Sequence, residues 1–146
     1  MKPKWELWRV TSYVFAAHAA FYRLLGGRLV GKNTLLLTTT GRRSGRARQT
    51  PLLYARDAQD YIVVASNGGE DRYPGWWHNI RCNPEVEIQV GREHFRCRAE
   101  PACDADALRL WGKLTAIYGG YERYRQRTQR RLTIFRLTRH GSAAAP

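Results

Sequence analysis

Residues 34–48 read TLLLTTTGRRSGRAR, and this stretch narrows the folds open to the chain. Thr34–Thr40 is apolar and β-branched enough for a buried strand, and it stops at Gly41. Two common nucleotide folds fit it poorly. The chain has no strand–GxGxxG–helix unit, so a doubly wound dinucleotide domain is disfavoured. Residues 41–45 (GRRSG) also lack the glycine spacing and terminal Lys-Ser/Thr of a phosphate loop. There remains a strand entering a glycine-flanked turn that holds Arg42, Arg43, Arg46, Arg48, the Ser44 hydroxyl and backbone N–H groups. Glycine lets the main chain approach an anion closely, and arginine offers forked donors to phosphate or carboxylate. Each such charge-assisted bond contributes roughly 1.5–3 kcal/mol. On these residues alone, specific anion binding stands slightly ahead of a solvated basic turn or a DNA-phosphate contact.

Outward from this turn, short strands alternate with turn signals. Residues 49–56 and 61–66 read as a hairpin joined across residues 57–60. Residues 85–90 alternate, with Val86, Ile88 and Val90 on one face, and Gly91-Arg92 turns them into residues 94–100, where Phe95 and Cys97 share a face. Asp104 reads as a helix cap before Leu108, Trp111, Leu114, Ile117 and Tyr118, which fall at helical spacing. Residues 132–138 suit a last strand. Five or six strands with turns every eight to twelve residues predict a mainly β chain, a barrel partly closed by helices. Residues 4–25 read as an amphipathic helix, with Trp5, Trp8, Phe15, Phe21 and Tyr22 beside Lys2, Lys4, Arg9 and Arg23. Its apolar face can pack on the barrel or lie on an anionic membrane, each nearby cation adding about 1 kcal/mol. The division is therefore residues 1–30 for this helix, 31–140 for the barrel and 141–146 for a disordered tail.

At 146 residues the chain is long enough for one domain with a real core, and 43% hydrophobic content excludes wholesale disorder. The net charge of +13 is unevenly distributed. Residues 31–50 carry five basic and no acidic side chains, residues 51–120 eight against ten, and residues 121–140 seven arginines against Glu122. Such clustering points to a partner of opposite sign: nucleic acid, an anionic membrane or an acidic cofactor. Cys82, Cys97 and Cys103 are odd in number and lack CxxC spacing, so neither a disulfide framework nor a metal site is expected. Reduced thiols in a cytoplasmic protein are the simplest account. No stretch reaches the ~20 apolar residues of a membrane span.

Two further clusters carry chemistry. Residues 65–69 (ASNGG) end a strand, and small polar residues there suit close approach of a flat ring. Pro74-Gly75-Trp76-Trp77-His78-Asn79 follows, offering an apolar wall and a stacking surface, although one tryptophan is expected in the core. Then Tyr118, Tyr121 and Tyr124 fall at spacing i, i+3, i+6, along one face if helical, although Gly119-Gly120 weakens that helix. Phenols can wall a pocket, bond a carbonyl or nitro oxygen, or deliver a proton; packing of surface aromatics is the plainer alternative.

Taken together, TTTGRRSGRARQTPLLY, the ASNGG turn, PGWWHNIRCNPEVEIQV and the YxxYxxY run resemble the deazaflavin-dependent nitroreductase and quinone-reductase family of actinobacteria. The motifs run from about Leu35 to Arg130. The resemblance implies an α+β, mainly β, split β-barrel of the FMN-binding, flavin-reductase type, with an N-terminal amphipathic helix and C-terminal helices. It implies coenzyme F-420 as hydride donor and a quinone or nitroaromatic as electron acceptor. Carried over, Arg42, Arg43, Ser44, Gly45 and Arg48 would hold the cofactor's phosphate and glutamyl tail. Pro51, Leu52, Ala65, Ser66, Asn67, Trp76 and Asn79 would line its ring. Tyr118, Tyr124, Trp76 and Trp77 would face the substrate, with Tyr121 and Ser66 as catalytic groups. Two departures from the family pattern, Asn67 for lysine and Trp77 for tyrosine, bear on the acceptor. FMN on the same fold, or a carrier without catalysis, is the alternative. A nucleic-acid module leaves the ASNGG turn and the tyrosines unexplained, so no nucleic-acid partner is expected. Peripheral contact with the inner face of the cell membrane is expected only if the first helix faces lipid. Nothing in the sequence sets an oligomeric state.

Overall fold

The computed structural model describes residues 32–141. The helix read at residues 4–25 and the tail beyond Gly141 lie outside the described residues. The elements are β1 (Thr34–Thr40), β2 (Ala47–Leu53), β3 (Ala55–Asp57), β4 (Asp60–Val64), α1 (Gly75–Cys82), β5 (Glu85–Val90), β6 (Glu93–Pro101), α2 (Asp104–Ile117), α3 (Gly120–Arg127) and β7 (Ile134–Arg139). All seven strands form one antiparallel sheet in the order β2-β1-β5-β6-β7-β4-β3. Its two edge strands, β2 and β3, are separated in the chain by Tyr54 alone. The chain therefore leaves one edge and arrives at the other within one residue, which forces the sheet to curl. The last strand, β7, lies between β6 and β4 and pairs with both.

Side-chain alternation fills both faces of this curled sheet. Tyr61, Val63 and Ala65 join Leu35, Leu37, Val86, Ile88, Cys97 and Phe135 in the barrel interior. Ile62 and Val64 point the other way and meet Leu110, Leu114 and Tyr121 from the helices. Burying Leu110 and Leu114 stabilises this outer layer by about 1.5–3 kcal/mol each. The β5–β6 hairpin turns at Gly91 with φ 61°, as the Gly91-Arg92 signal predicts.

Three local expectations are corrected. Residues 49–56 do not pair as one strand with β4: β2 pairs with β1, and only the Ala55–Asp57 segment pairs with β4. Asp104 is not the cap of α2 but its first residue, after Cys103, and its carboxylate pairs with Arg131. Leu108 is 82% exposed, and Ile117 is also exposed, whereas Leu110, absent from the expected stripe, is fully buried. At about 100° per residue, Leu108 lies about 120° around the helix from Leu114, outside its buried face.

Antiparallel order brings most of the candidate segments to one end of the barrel, Pro51 and Leu52 excepted. There β1 enters residues 41–46, β4 enters residues 65–74, α1 precedes β5, and residues 128–133 precede β7. At the opposite end Asp57 receives bonds from Arg109 at 2.6 Å and Arg136 at 2.8 Å, and Asp60 pairs with Arg136 at 2.8 Å. This network fastens α2 to the β3–β4 hairpin.

Candidate active site

The arginine turn is rigid where its backbone is concerned. The Gly41 N–H donates to the Arg46 carbonyl at 2.7 Å, and the Gly45 N–H to the Gly41 carbonyl at 2.8 Å. The Ser44 hydroxyl accepts the Arg46 N–H at 3.2 Å. Asn79, buried on α1, braces the turn from beneath. Its amide oxygen accepts the Arg42 N–H at 3.0 Å, and its amide nitrogen donates to the Thr39 hydroxyl at 3.0 Å. Arg42, Arg43, Arg46 and Arg48 are all exposed. Among the described residues none of these four guanidinium groups has a salt bridge, whereas Arg98, Arg109, Arg125, Arg131 and Arg136 each have at least one. The turn is therefore an unneutralised cationic surface on a fixed frame. His78 feels it: burial first, then the charges of Arg42, Arg43 and Arg81, holds its pKa below the usual histidine value.

The second segment, residues 65–70, begins at buried Ala65 and makes one tight turn over Asn67–Gly69. The Ser66 side chain makes no capping bond there, and the Asn67 amide donates to the Arg72 carbonyl at 2.9 Å. Gly69 has φ +80°, and a Cβ on it would lie 2.8 Å from the Tyr124 backbone. Only glycine permits that approach, so the turn seats directly on α3.

Trp76 packs into the barrel interior against Phe135 at 5.6 Å, so it is the core tryptophan of the pair. Trp77 is half-buried and stacks on Tyr73 at 3.9 Å, with Arg81 over its ring at 4.7 Å. Its indole N–H donates to the Thr133 hydroxyl at 3.2 Å. It borders a cavity of about 440 Å³ with Ile80, Arg81, Ala102, Leu132 and Phe135. None of the three tyrosines lines that cavity.

The tyrosines do come together, but not along one helix. Tyr118 caps α2 in extended conformation and α3 starts at Gly120. The Tyr118 ring folds over Gly120, where a Cβ would collide with it. The Tyr118 and Tyr124 hydroxyls share a hydrogen bond of 3.0 Å, and Tyr121 meets Tyr118 edge-on at 5.1 Å. Tyr121 is 5% exposed, and burial pushes its pKa up to about 12. Tyr118 moves the opposite way, lowered by the Tyr124 hydrogen bond and then by Arg123.

The seven arginines of residues 121–140 are largely used within the molecule rather than offered to a partner. Arg125 pairs with Glu122, Arg131 with Asp104, and Arg136 with Asp57 and Asp60. Arg127 and Arg130 donate to backbone carbonyls of the 65–70 turn. Arg130 and Tyr73 are parts of this end of the barrel that the sequence motifs did not single out. Their only signal was an arginine excess and an aromatic near Trp77.

The curled seven-stranded antiparallel sheet, with its edge strands adjacent in the chain, is a split barrel. The chain belongs to the F-420H(2)-dependent quinone reductase family, whose model matches residues 14–139. That match starts well before the Leu35 at which the motifs begin. An F-420H(2)-dependent quinone reductase of Mycobacterium tuberculosis is 39% identical over 144 residues, covering 93% of this chain and 97% of the relative. A putative F-420H(2)-dependent quinone reductase of Mycobacterium bovis is equally similar, at 39%. Among solved structures, an F-420-H2 dependent reductase superimposes with a TM-score of 0.68 at 30% identity, over 73% of this chain and 94% of that one.

Proposed function

We propose that this chain transfers a hydride from reduced coenzyme F-420 to a quinone, at the arginine-lined end of the barrel. Family membership carries the cofactor and reaction class, and it makes the FMN alternative unnecessary. The observation that carries the site is the set of four salt-bridge-free arginines on the braced turn. A phosphate and a glutamyl tail match that donor set in charge and geometry. Arg42, Arg43 and Arg48 hold the anionic tail, with Ser44 and Gly45 allowing close approach of the main chain. Asn79 acts by fixing the turn, since both ends of its amide are already engaged. Trp76 acts from the core beneath. Ala65, Ser66 and Asn67 border the ring, whereas Pro51 and Leu52 on β2 pair with Leu36 and Leu35, toward the other end of β1 from the arginine turn, so this placement does not use them.

When bound, the deazaflavin supplies a hydride, and the quinone needs one proton in addition to become a hydroquinone. That proton comes from the tyrosine side. Half-exposed Tyr118, its pKa lowered by its hydrogen bond to Tyr124 while that bond raises the pKa of Tyr124, suits this better than Tyr121, whose burial weakens its acidity. Tyr121 holds the pair in place, and Ser66, with no capping bond, is free to bond the acceptor oxygen. Trp77 provides an apolar wall. Nitroaromatics are electron-poor enough to accept the same hydride and serve as assay acceptors. No helix among the described residues is long and apolar enough to cross a membrane.

The test is a titration with F-420 at several salt concentrations. Wild type should bind with affinity that falls as salt rises, and Arg42→Ala with Arg43→Ala should weaken binding at least about tenfold. Salt-independent binding, or full affinity in the double variant, would refute this placement of the cofactor.

A further inference from the structure

Arg130 lies six residues beyond Tyr124, at the far end of the matched stretch and with no role assigned to it there, yet it bonds three carbonyls of the 65–70 turn. Its Nε donates to the Glu70 carbonyl at 2.8 Å. Its Nη1 donates to the Ala65 carbonyl at 3.0 Å, and its Nη2 to the Ser66 carbonyl at 2.9 Å. One planar fork thus joins the start of the 65–70 turn to its end. The same guanidinium lies over the Tyr73 ring at 4.7 Å. Tyr73 in turn stacks on Trp77 at 3.9 Å, and Arg81 covers Trp77 at 4.7 Å. Close by, Arg127 Nη1 donates to the Gly68 carbonyl at 3.3 Å, and the Thr128 hydroxyl to Asp71 at 2.8 Å.

We propose that Arg130 is a positioning residue for hydride transfer, setting Ser66 and its turn in register with Trp77 on α1 and the tyrosines on α3. The proposal rests on the reading that residues 65–67 border the deazaflavin ring. Three carbonyl oxygens converging on one side chain need donors fanned in a plane, which a guanidinium has and an ammonium lacks. The turn has few alternatives: Gly69 sits at φ +80° against α3, and among backbone groups only Ser66 and Asn67 carbonyls accept its closing N–H bonds. With the fork removed, the turn keeps its sequence and its seat but loses its fixed height above the barrel end. A displacement of about 1 Å between donor and acceptor lowers the rate of such a transfer by roughly a hundredfold. The anionic tail is held elsewhere, on the residues 41–48 turn, so affinity is largely spared.

The experiment compares wild type with Arg130→Ala and Arg130→Lys. The single-turnover rate of F-420H2 oxidation by a soluble quinone should fall roughly 10- to 100-fold in both variants. The F-420 Kd should stay within about threefold, because the tail contacts are intact. Millimolar guanidinium should restore part of the Ala variant's rate, and methylammonium should not. Independently of catalysis, amide exchange at Gly69 and Glu70 should accelerate in the cofactor-free Ala variant while β1 and β5 keep their protection. Unchanged transfer rates in both variants, or loss of rate only in proportion to loss of folded protein, would overturn the positioning role. Should the Ala variant not fold, the Lys variant carries the same readouts, and a wild-type rate there would overturn the proposal equally. Failure of wild type itself to oxidise F-420H2 would instead refute the reading on which it rests.

Discussion

Tyr118 and Tyr121 stand three residues apart and meet opposite surroundings. Burial raises the pKa of Tyr121 to about 12, while Tyr118 is lowered through Tyr124 and Arg123. Tyr118→Phe should therefore reduce turnover with a quinone about tenfold or more at unchanged F-420 affinity, and Tyr121→Phe should cost less. The comparison is made by steady-state rates beside a binding titration. A folded-state pKa above the ordinary value of 10 gives stability that is present below pH 10 and is lost as pH rises toward 12. The alkaline limb of the melting-temperature profile should accordingly be shallower in Tyr121→Phe. His78 supplies a second pH effect. Burial, Arg42, Arg43 and Arg81 keep it below its ordinary 6.5, and an anion placed among those arginines would offset their charge. Cofactor affinity should rise as pH falls through this range, by an increment that His78→Gln abolishes, read by titration between about pH 5 and 8. The residue types at the site were legible because arginine, glycine and tyrosine state their chemistry locally. The role of Arg130 was not, because a partner lies 65 residues away in the chain. For Asn79 the sequence left ring and backbone both open, which its bond to the Arg42 N–H, 37 residues away, resolves toward the backbone.

At the level of elements, the period-two strands could be read because their pattern depends only on which face is buried. Residues 85–90 and 94–100 came through nearly intact as β5 and β6. The break at Tyr54 could not be read, since it follows from two edges meeting in space. The stripe on α2 was half right for a related reason: Leu108 fits helical spacing, but neighbouring β-strands decide which arc of the helix is covered. The contact between the 65–70 turn and α3 gives a direct test. Gly69→Ala must place its Cβ against the Tyr124 backbone at a left-handed φ, whereas Gly68→Ala, at φ 64°, meets nothing within 4 Å. Backbone strain alone costs about 1–3 kcal/mol in either variant. Chemical denaturation should find Gly69→Ala the less stable of the two by about a further 1 kcal/mol, the cost of separating turn and helix.

For the molecule as a whole, the two ends of the barrel use charge in opposite ways. Among the described residues, one end leaves four arginines without acidic partners, while at the other Arg109 and Arg136, with Lys113 nearby, converge on Asp57. The Arg109 and Arg136 hydrogen bonds hold the Asp57 carboxyl well below the usual carboxylate range. Its stabilisation is therefore present above about pH 4 and is lost as pH falls below that value. Asp57→Asn should lower stability at pH 7 by about 1 kcal/mol and flatten the acid limb of thermal unfolding, without changing F-420 affinity. The position of β7 between β6 and β4 has a consequence for synthesis. Translation delivers residues 134–139 after every other strand, so a nascent chain holds two unjoined blocks, β2-β1-β5-β6 and β4-β3. The arginine turn belongs to the first block and the ASNGG turn follows the second. They acquire a fixed relation only when the final strand pairs with both blocks, so the register that hydride transfer needs is set by the last strand to be made.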